Sequence, residues 1–362
     1  MKKTWMTEEW GLVKGLLPEG WEVAAREQGA FKQAKGIRTA EELLRLILMH
    51  AGSGLSLRHA VARGAAAGLP EVSDVALLKR LRNAEGWLRW MSVRLLEQQA
   101  GQPRWSRLPE GWTAVAVDST TIEESGASGT DWRLHYAIGL PSLFCEQAEL
   151  TDNKGGESLC RYKVRKGDLF LGDRNFCRAP QIRHVMDHQG AVLLRWHSTS
   201  LPLFDQQGHA LDVPAWLAQL RSRQCSGLPV FLKDGTALRL CALRVSPQAA
   251  QRERAKIRLS AKKNGRKPSC QCLCMADYIV VVTSLPSSCL DSRGILQLYR
   301  LRWQIELAFK RLKSLLNTGH VPKKDPLSSR SWLQAKLLTC LLIEKSLLQS
   351  EVFSPWGFIL PD

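Results

Sequence analysis

The segment from Ile295 to Leu316 has apolar side chains at helical spacing and a separate polar edge, so it must pack as a helix with one face buried. An α-helix turns about 100° per residue; measured from Tyr299, the residues Leu298, Leu301, Ile305, Ala308, Phe309, Leu312, Leu315 and Leu316 fill a sector from about 160° to 280°. On the same wheel Arg302, Glu306 and Lys313 fall at about 300°, 340° and 320°, beside Tyr299. From the helix alone two readings are open. Glu306 with Lys310 or Lys313 is ordinary surface pairing, worth about 0.2–0.5 kcal/mol per pair. Alternatively, a carboxylate set among Arg, Lys and Tyr on one stripe is a site for metal and phosphate.

Two upstream segments bear on the choice. Trp112-Thr113-Ala114-Val115-Ala116-Val117-Asp118 reads as a strand ending in a carboxylate, and Asp168-Leu169-Phe170-Leu171-Gly172-Asp173-Arg174-Asn175-Phe176 repeats that design. Taken singly, each aspartate could merely cap a turn. Taken together and in this order, with the spacing Y-x2-R-x3-E-x6-K at Tyr299, Arg302, Glu306 and Lys313, they resemble one family. That family is the DDE transposases of bacterial insertion sequences, in the YREK-signature, insertion-sequence-four-like group. The resemblance covers about residues 110 to 345, and the helix motif is its most specific part.

The resemblance implies an α/β protein. An RNase H-like catalytic domain would carry a β-rich insertion and follow an α-helical N-terminal domain. It implies that Asp118, Asp173 and Glu306 are the catalytic and metal-holding acids. Two divalent ions, Mg²⁺ or Mn²⁺, would be bridged by Asp118, with Asp173 on one and Glu306 on the other; both metals favour hard oxygen ligands. Tyr299, Arg302 and Lys313 would contact phosphates near the cut, with Lys310 on the same helix. Water would be the first nucleophile, and the 3′-OH it frees would then attack target DNA. The implied partners are double-stranded DNA, as terminal inverted repeats and as target, and a second copy of the chain in a synaptic homodimer. Against the family the chain looks short at its C-terminal end, which leaves the assembled state open. Two rival classes remain: a nuclease of the same fold without strand transfer, and an inactive DNA-binding relative.

Charge agrees with a polyanionic partner. The 362 residues carry 51 Lys plus Arg against 34 Asp plus Glu, a net charge of +17. The densest run, residues 251–267, includes Arg254, Arg258, Lys262, Lys263, Arg266 and Lys267 with one acid, Glu253. It is expected to be solvated and mobile alone, and to track phosphates when DNA is present. No run of 18 apolar residues and no signal-peptide core occurs, so no membrane role is expected. Ten scattered cysteines read as reduced thiols in a bacterial cytoplasm. Cys270, Cys272 and Cys274 have C-x-C-x-C spacing, which does not match a zinc finger, and are expected in a flexible lead-in to a strand.

Along the chain, residues 1–105 read as a helical DNA-binding domain. Thr39 and Glu42 form a capping box, and two helices begin at Ser56 and Ser73. Those two are either a helix-turn-helix-like unit or part of a plain bundle. Residues 103–109 suggest a linker. Residues 106–197 form the first part of the catalytic fold, with strands near 113–118, 132–139, 143–150, 168–173 and 191–196 and helices near 156–165 and 180–189. Residues 198–287 form the β-rich insertion. Residues 288–362 return to the catalytic fold with the Glu306 helix, a stop at Asn317-Thr318-Gly319 and a last amphipathic helix over 332–348.

Overall fold

Ala114 to Val117 are all buried, which a strand achieves only when both faces of its sheet are covered. The computed structural model describes residues 10–100, 108, 111–124, 131–140, 142–315, 320–322 and 325–351, and sets this strand, β1 (Thr113–Glu124), inside a mixed sheet. β2 (Trp132–Leu140) and β3 (Cys145–Asp152) follow antiparallel on one side, while β4 (Asp168–Gly172) and β5 (Ala191–Arg195) run parallel on the other. β6 (Cys225–Phe231), β7 (Ala237–Arg244) and β8 (Tyr278–Thr283) extend the same sheet antiparallel, giving the order β3-β2-β1-β4-β5-β8-β7-β6. The short β9 (His320–Val321) pairs with the far end of β1.

Side chains alternate across a strand, and this divides the core in two. Ala114 and Ala116 of β1, Leu169 and Leu171 of β4, and Leu193 of β5 belong to one buried cluster. Val115, Val117, Phe170, Val192 and Leu194 belong to the other. The first cluster is shared with N-terminal helices, among them α1 (Trp21–Glu27), α2 (Ala40–Ala51), α3 (Leu57–Ala66), α4 (Asp74–Arg82) and α5 (Glu85–Ala100). The second is covered by α6 (Ala179–Asp187) and α7 (Val213–Ala218). The expected cap at Thr39 is present in full: its side chain accepts the Glu42 N–H, and the Glu42 carboxylate accepts from the Thr39 N–H. Ser56 and Ser73 cap α3 and α4 in the same way.

Four local expectations need correction. Residues 156–165 hold only a 3₁₀ turn, Leu159–Arg161, because Gly155 and Gly156 precede it and Tyr162 is already extended. The basic run expected to be mobile is a helix, α8 (Pro247–Lys263), started by the Ser246 cap with proline in its first turn. Its side chains are almost all exposed, with Ala250 buried at the base. Cys270–Met275 is also helical, α9, capped by Ser269, rather than a flexible lead-in. The fourth correction concerns the segment over 295–316. It divides into α10 (Ser292–Tyr299), a 3₁₀ stretch Arg300–Trp303, and α11 (Gln304–Leu315). A 3₁₀ stretch has three residues per turn, so the phase of the buried stripe shifts across it. Ile295, Leu298, Ile305, Phe309 and Leu312 are buried, whereas Leu301 is exposed.

The last helix, α12 (Pro326–Glu351), is longer than expected and packs against α2, α4 and α5. The linker expected over 103–109 lies outside the described residues except for Leu108, and the stop at 317–319 lies wholly outside them. Among the described residues, no helix is long and apolar enough to cross a membrane.

Candidate active site

Strand register alone sets the first two acids side by side. Thr113 of β1 stands opposite Asp168 of β4, and Ala116 opposite Leu171; the same offset carries Asp118 to a place opposite Asp173. Neighbouring strands lie about 4.8 Å apart. Asp118 shares its side of β1 with Ala114 and Ala116, whose cluster includes Ile295, Leu298, Ile305 and Phe309 of the α10–α11 segment. Alternation therefore turns Asp118 toward the helix that carries Glu306.

Arg302 closes the gap. Its Nη1 lies 3.6 Å from Asp118 Oδ2 and its Nη2 donates to Glu306 Oε1 at 2.5 Å. The Asp118 and Glu306 carboxylates are thus held one guanidinium apart. The guanidinium carbon sits 6.0 Å from the Tyr299 ring centroid, and the Tyr299 hydroxyl donates to the Gly172 carbonyl, one residue before Asp173, at 3.3 Å. Tyr299 therefore spends its hydroxyl on the backbone of β4, and burial pushes that phenol up to about 12. Lys310 and Lys313 are exposed and line an open groove with Glu306 and Phe309.

The two aspartates are electrostatically uncomfortable. Burial raises the Asp118 carboxyl to about 6; the Ser119 N–H opposes that shift, Asp173 adds to it, and Arg302 opposes it. The Asp173 carboxyl is also raised, first by burial, with Asn175 opposing and Glu157 adding. Like charges drawn into a low-dielectric edge favour a bound proton or a bound cation. As a donor set, three hard carboxylates suit a divalent cation. Among the described residues, however, no three ligating side chains close into a ready-made metal cage. Arg302 is the cation that bridges Asp118 and Glu306.

Sequence reasoning missed several groups here. Glu157, on the loop before the 3₁₀ turn, accepts from Ser119 Oγ at 2.6 Å and from Asn175 Nδ2 at 2.8 Å. Arg133 lies 3.6 Å from it. Tyr162 donates to the Asp118 carbonyl at 3.3 Å. Arg195, at the end of β5, is mostly buried near Tyr299 and donates to the Tyr278 carbonyl at 3.1 Å. None of these positions has a periodicity or a spacing that marks it in the chain.

The basic helix α8 is joined to the sheet by Arg254, which pairs with Asp277 at 3.1 Å just before β8. Arg258, Lys262, Lys263, Arg266 and Lys267 are exposed beyond that anchor.

Residues 113–343 match the family described as the transposase DDE domain. The chain is 31% identical over 347 residues to the putative transposase InsL of insertion sequence element IS186A from Escherichia coli strain K12, covering 93% of each chain. It is 31% identical over 348 residues, again with 93% coverage of each, to the transposase of insertion sequence element IS421 from Escherichia coli. A cryo-EM structure of the piggyBac transposase synaptic complex with hairpin DNA aligns at a TM-score of 0.49 and 10% identity, over 96% of this chain and 74% of that one. By the extent of the domain match and of the insertion-sequence relatives, this chain belongs to the DDE transposases.

Proposed function

We propose that this transposase is a YREK-type enzyme that cuts DNA at the ends of an insertion sequence and joins the freed 3′-OH to target DNA, using Asp118, Asp173 and Glu306. The sheet order β3-β2-β1-β4-β5, with two antiparallel pairings (β3-β2, β2-β1) followed by two parallel ones (β1-β4, β4-β5), supports an RNase H-like reading of the catalytic part. In that reading the helices of residues 10–100 serve as the N-terminal DNA-binding unit, and 198–287 is an insertion whose strands prolong the catalytic sheet.

The observation that carries the proposal is Arg302. One guanidinium touches Asp118 and Glu306, and Asp173 lies close enough to raise the Asp118 carboxyl. Acids far apart in sequence thereby meet at one edge of a buried sheet, in a family defined by such acids. Divalent cations held by these three carboxylates would stabilise charge on the attacking and leaving oxygens of an in-line phosphodiester displacement. The chain's own groups do the rest. Asp118 and Asp173 are fixed by strand register, and Tyr299 supports Arg302 from below. A guanidinium has five N–H donors, so Arg302 has donors left for a phosphate oxygen. Lys310 and Lys313 offer point charges along the same groove, and the α8 cations from Arg254 to Lys267 offer a second phosphate-binding surface. A homodimer would bring two element ends together.

The test is cleavage of a duplex bearing the element's own terminal repeats, with and without Mg²⁺ or Mn²⁺, followed by assay for joining to a second duplex. Metal-dependent cleavage with joining is the expected outcome. Cleavage without joining would favour the nuclease. Binding with no cleavage under any metal would favour an inactive relative and end the catalytic proposal.

A further inference from the structure

Ser119, in β1, and Asn175, in the 3₁₀ turn Arg174–Phe176 after β4, make the same pair of bonds. The Ser119 N–H donates to Asp118 Oδ1 at 2.8 Å, and its hydroxyl donates to Glu157 Oε1 at 2.6 Å. The Asn175 N–H donates to Asp173 Oδ1 at 2.8 Å, and its side-chain amide donates to Glu157 Oε2 at 2.8 Å. Each oxygen of Glu157 is therefore tied, through one residue, to one of the two aspartates. Alternation along β1 places Ser119 on the side of Val115 and Val117, so Glu157 grips it from behind the sheet edge, opposite the α10–α11 helix. Arg133 completes the clamp, 3.6 Å from Glu157 Oε1 and 3.4 Å from Ser119 Oγ.

Burial separates this acid from Glu306. The Glu157 side chain is 15% exposed and the Glu306 side chain 56%. A carboxylate so enclosed must be held by donors. A structural filler would not need to be ionic, and here its two oxygens are divided between β1, which carries Asp118, and the turn after β4, which begins at Asp173.

We infer that Glu157 is a positioning residue that holds Asp118 and Asp173 as a pair for cation binding and strand cleavage. This rests on the proposed function above. Glu157 does not touch DNA or the reacting atoms; it acts through Ser119 and Asn175. The chemistry of the amide gives a sharp variant. In Glu157→Gln the side chain keeps its shape, but one oxygen becomes an NH₂ group. That group cannot accept: turned toward Asn175 it leaves the amide donor without its partner, turned toward Ser119 it can only donate to the hydroxyl oxygen, and the negative charge is lost in either case. Losses in groups that orient metal-holding side chains cost about 10–100-fold in metal affinity or activity.

The experiment measures three quantities on the full chain: Mn²⁺ affinity by electron paramagnetic resonance titration without DNA, cleavage rate at saturating metal, and melting temperature in chelator. Glu157→Gln is expected to weaken Mn²⁺ binding about tenfold and slow cleavage about a hundredfold, with little change in melting temperature. Ser119→Ala and Asn175→Ala should each show part of that loss. Adding either to Glu157→Gln should cost less than the two losses combined, because coupled groups are not additive. The inference is overturned if Glu157→Gln binds Mn²⁺ and cleaves like the parent. It is equally overturned if Glu157→Gln only lowers the melting temperature while metal affinity and rate stay unchanged. A parent protein that neither binds Mn²⁺ nor cleaves its terminal repeats would instead overturn the proposed function itself.

Discussion

The site has two halves that are held in different ways. Asp118 sits on β1 and Asp173 directly after the neighbouring parallel strand β4, with burial, register and the N–H groups of Ser119 and Asn175 fixing each one. Glu306 stands on α11, more than half exposed, with Arg302 one helical turn away as its ion-pair partner. α11 follows a 3₁₀ stretch rather than an unbroken helix. The strand half is prebuilt at an electrostatic cost, since burial raises both aspartates. In the proposed reading an enzyme that must admit a duplex gains from this division: Asp118 and Asp173 are placed by the sheet, and Glu306 comes with a segment whose phase departs from an ideal helix.

The largest effect expected does not distinguish the halves. Asp118→Asn and Glu306→Gln should each slow cleavage by at least about a hundred- to a thousandfold, the scale on which losing one charge-stabilising group slows an enzyme. Cleavage by Glu306→Gln at near the parental rate would remove the helix half from the site.

Chain length sharpens the contrast. Asp118→Glu adds a methylene at a half-buried strand position and should be nearly as inactive as Asp118→Asn. Glu306→Asp, on the exposed helix, should retain measurable cleavage, about tenfold or more above Glu306→Gln. Equal loss in both swaps would mean that the halves are equally rigid.

Stability should separate them in the opposite sense. The Asp118 carboxyl is raised in the fold from 3.8 to about 6. The folded chain therefore binds the proton more tightly than the unfolded chain, and stability falls as pH rises from about 4 through about 6, then levels off. At about 1.4 kcal/mol per pKa unit the cost at neutral pH is at most about 3 kcal/mol. Asp118→Asn should thus melt higher than the parent at pH 7 in chelator, with the gain shrinking toward pH 4. A lower melting temperature for Asp118→Asn at pH 7 would contradict the picture of a strained strand half.

The smallest effects concern Arg302 and Glu306. Arg302→Ala should weaken DNA binding and flatten its salt dependence by about one counterion, read from affinities at two salt concentrations. Glu306→Gln should leave the melting temperature unchanged and hold or slightly strengthen DNA binding, since it removes an exposed negative charge near a polyanion.

Particular residues show how far the chain could be read directly. The apolar runs before Asp118 and Asp173 announced strands because each is buried on both faces, and a buried strand needs apolar residues at every position. The Thr39–Glu42 box was legible because capping is local, settled within four residues. Helical periodicity places Leu301 on the buried stripe, but the 3₁₀ stretch that packs on β1 breaks that period and leaves Leu301 exposed. The basic run was expected to be mobile because its composition has no apolar stripe; its Ser246 cap and the Arg254–Asp277 pair give it a helical base.

The amino-acid sequence by itself determined the strands, the stripe of Tyr299, Arg302, Glu306 and Lys313, and the polyanion-seeking charge, because propensity, periodicity and net charge are properties of neighbouring residues or of their sum. The tertiary structure alone decided that Asp118 stands opposite Asp173, that Arg302 reaches Asp118, and that Glu157 ties the aspartates from behind. Those relations depend on register and on contacts between remote segments, and nothing in the local order of the chain encodes which donor will meet which carboxylate.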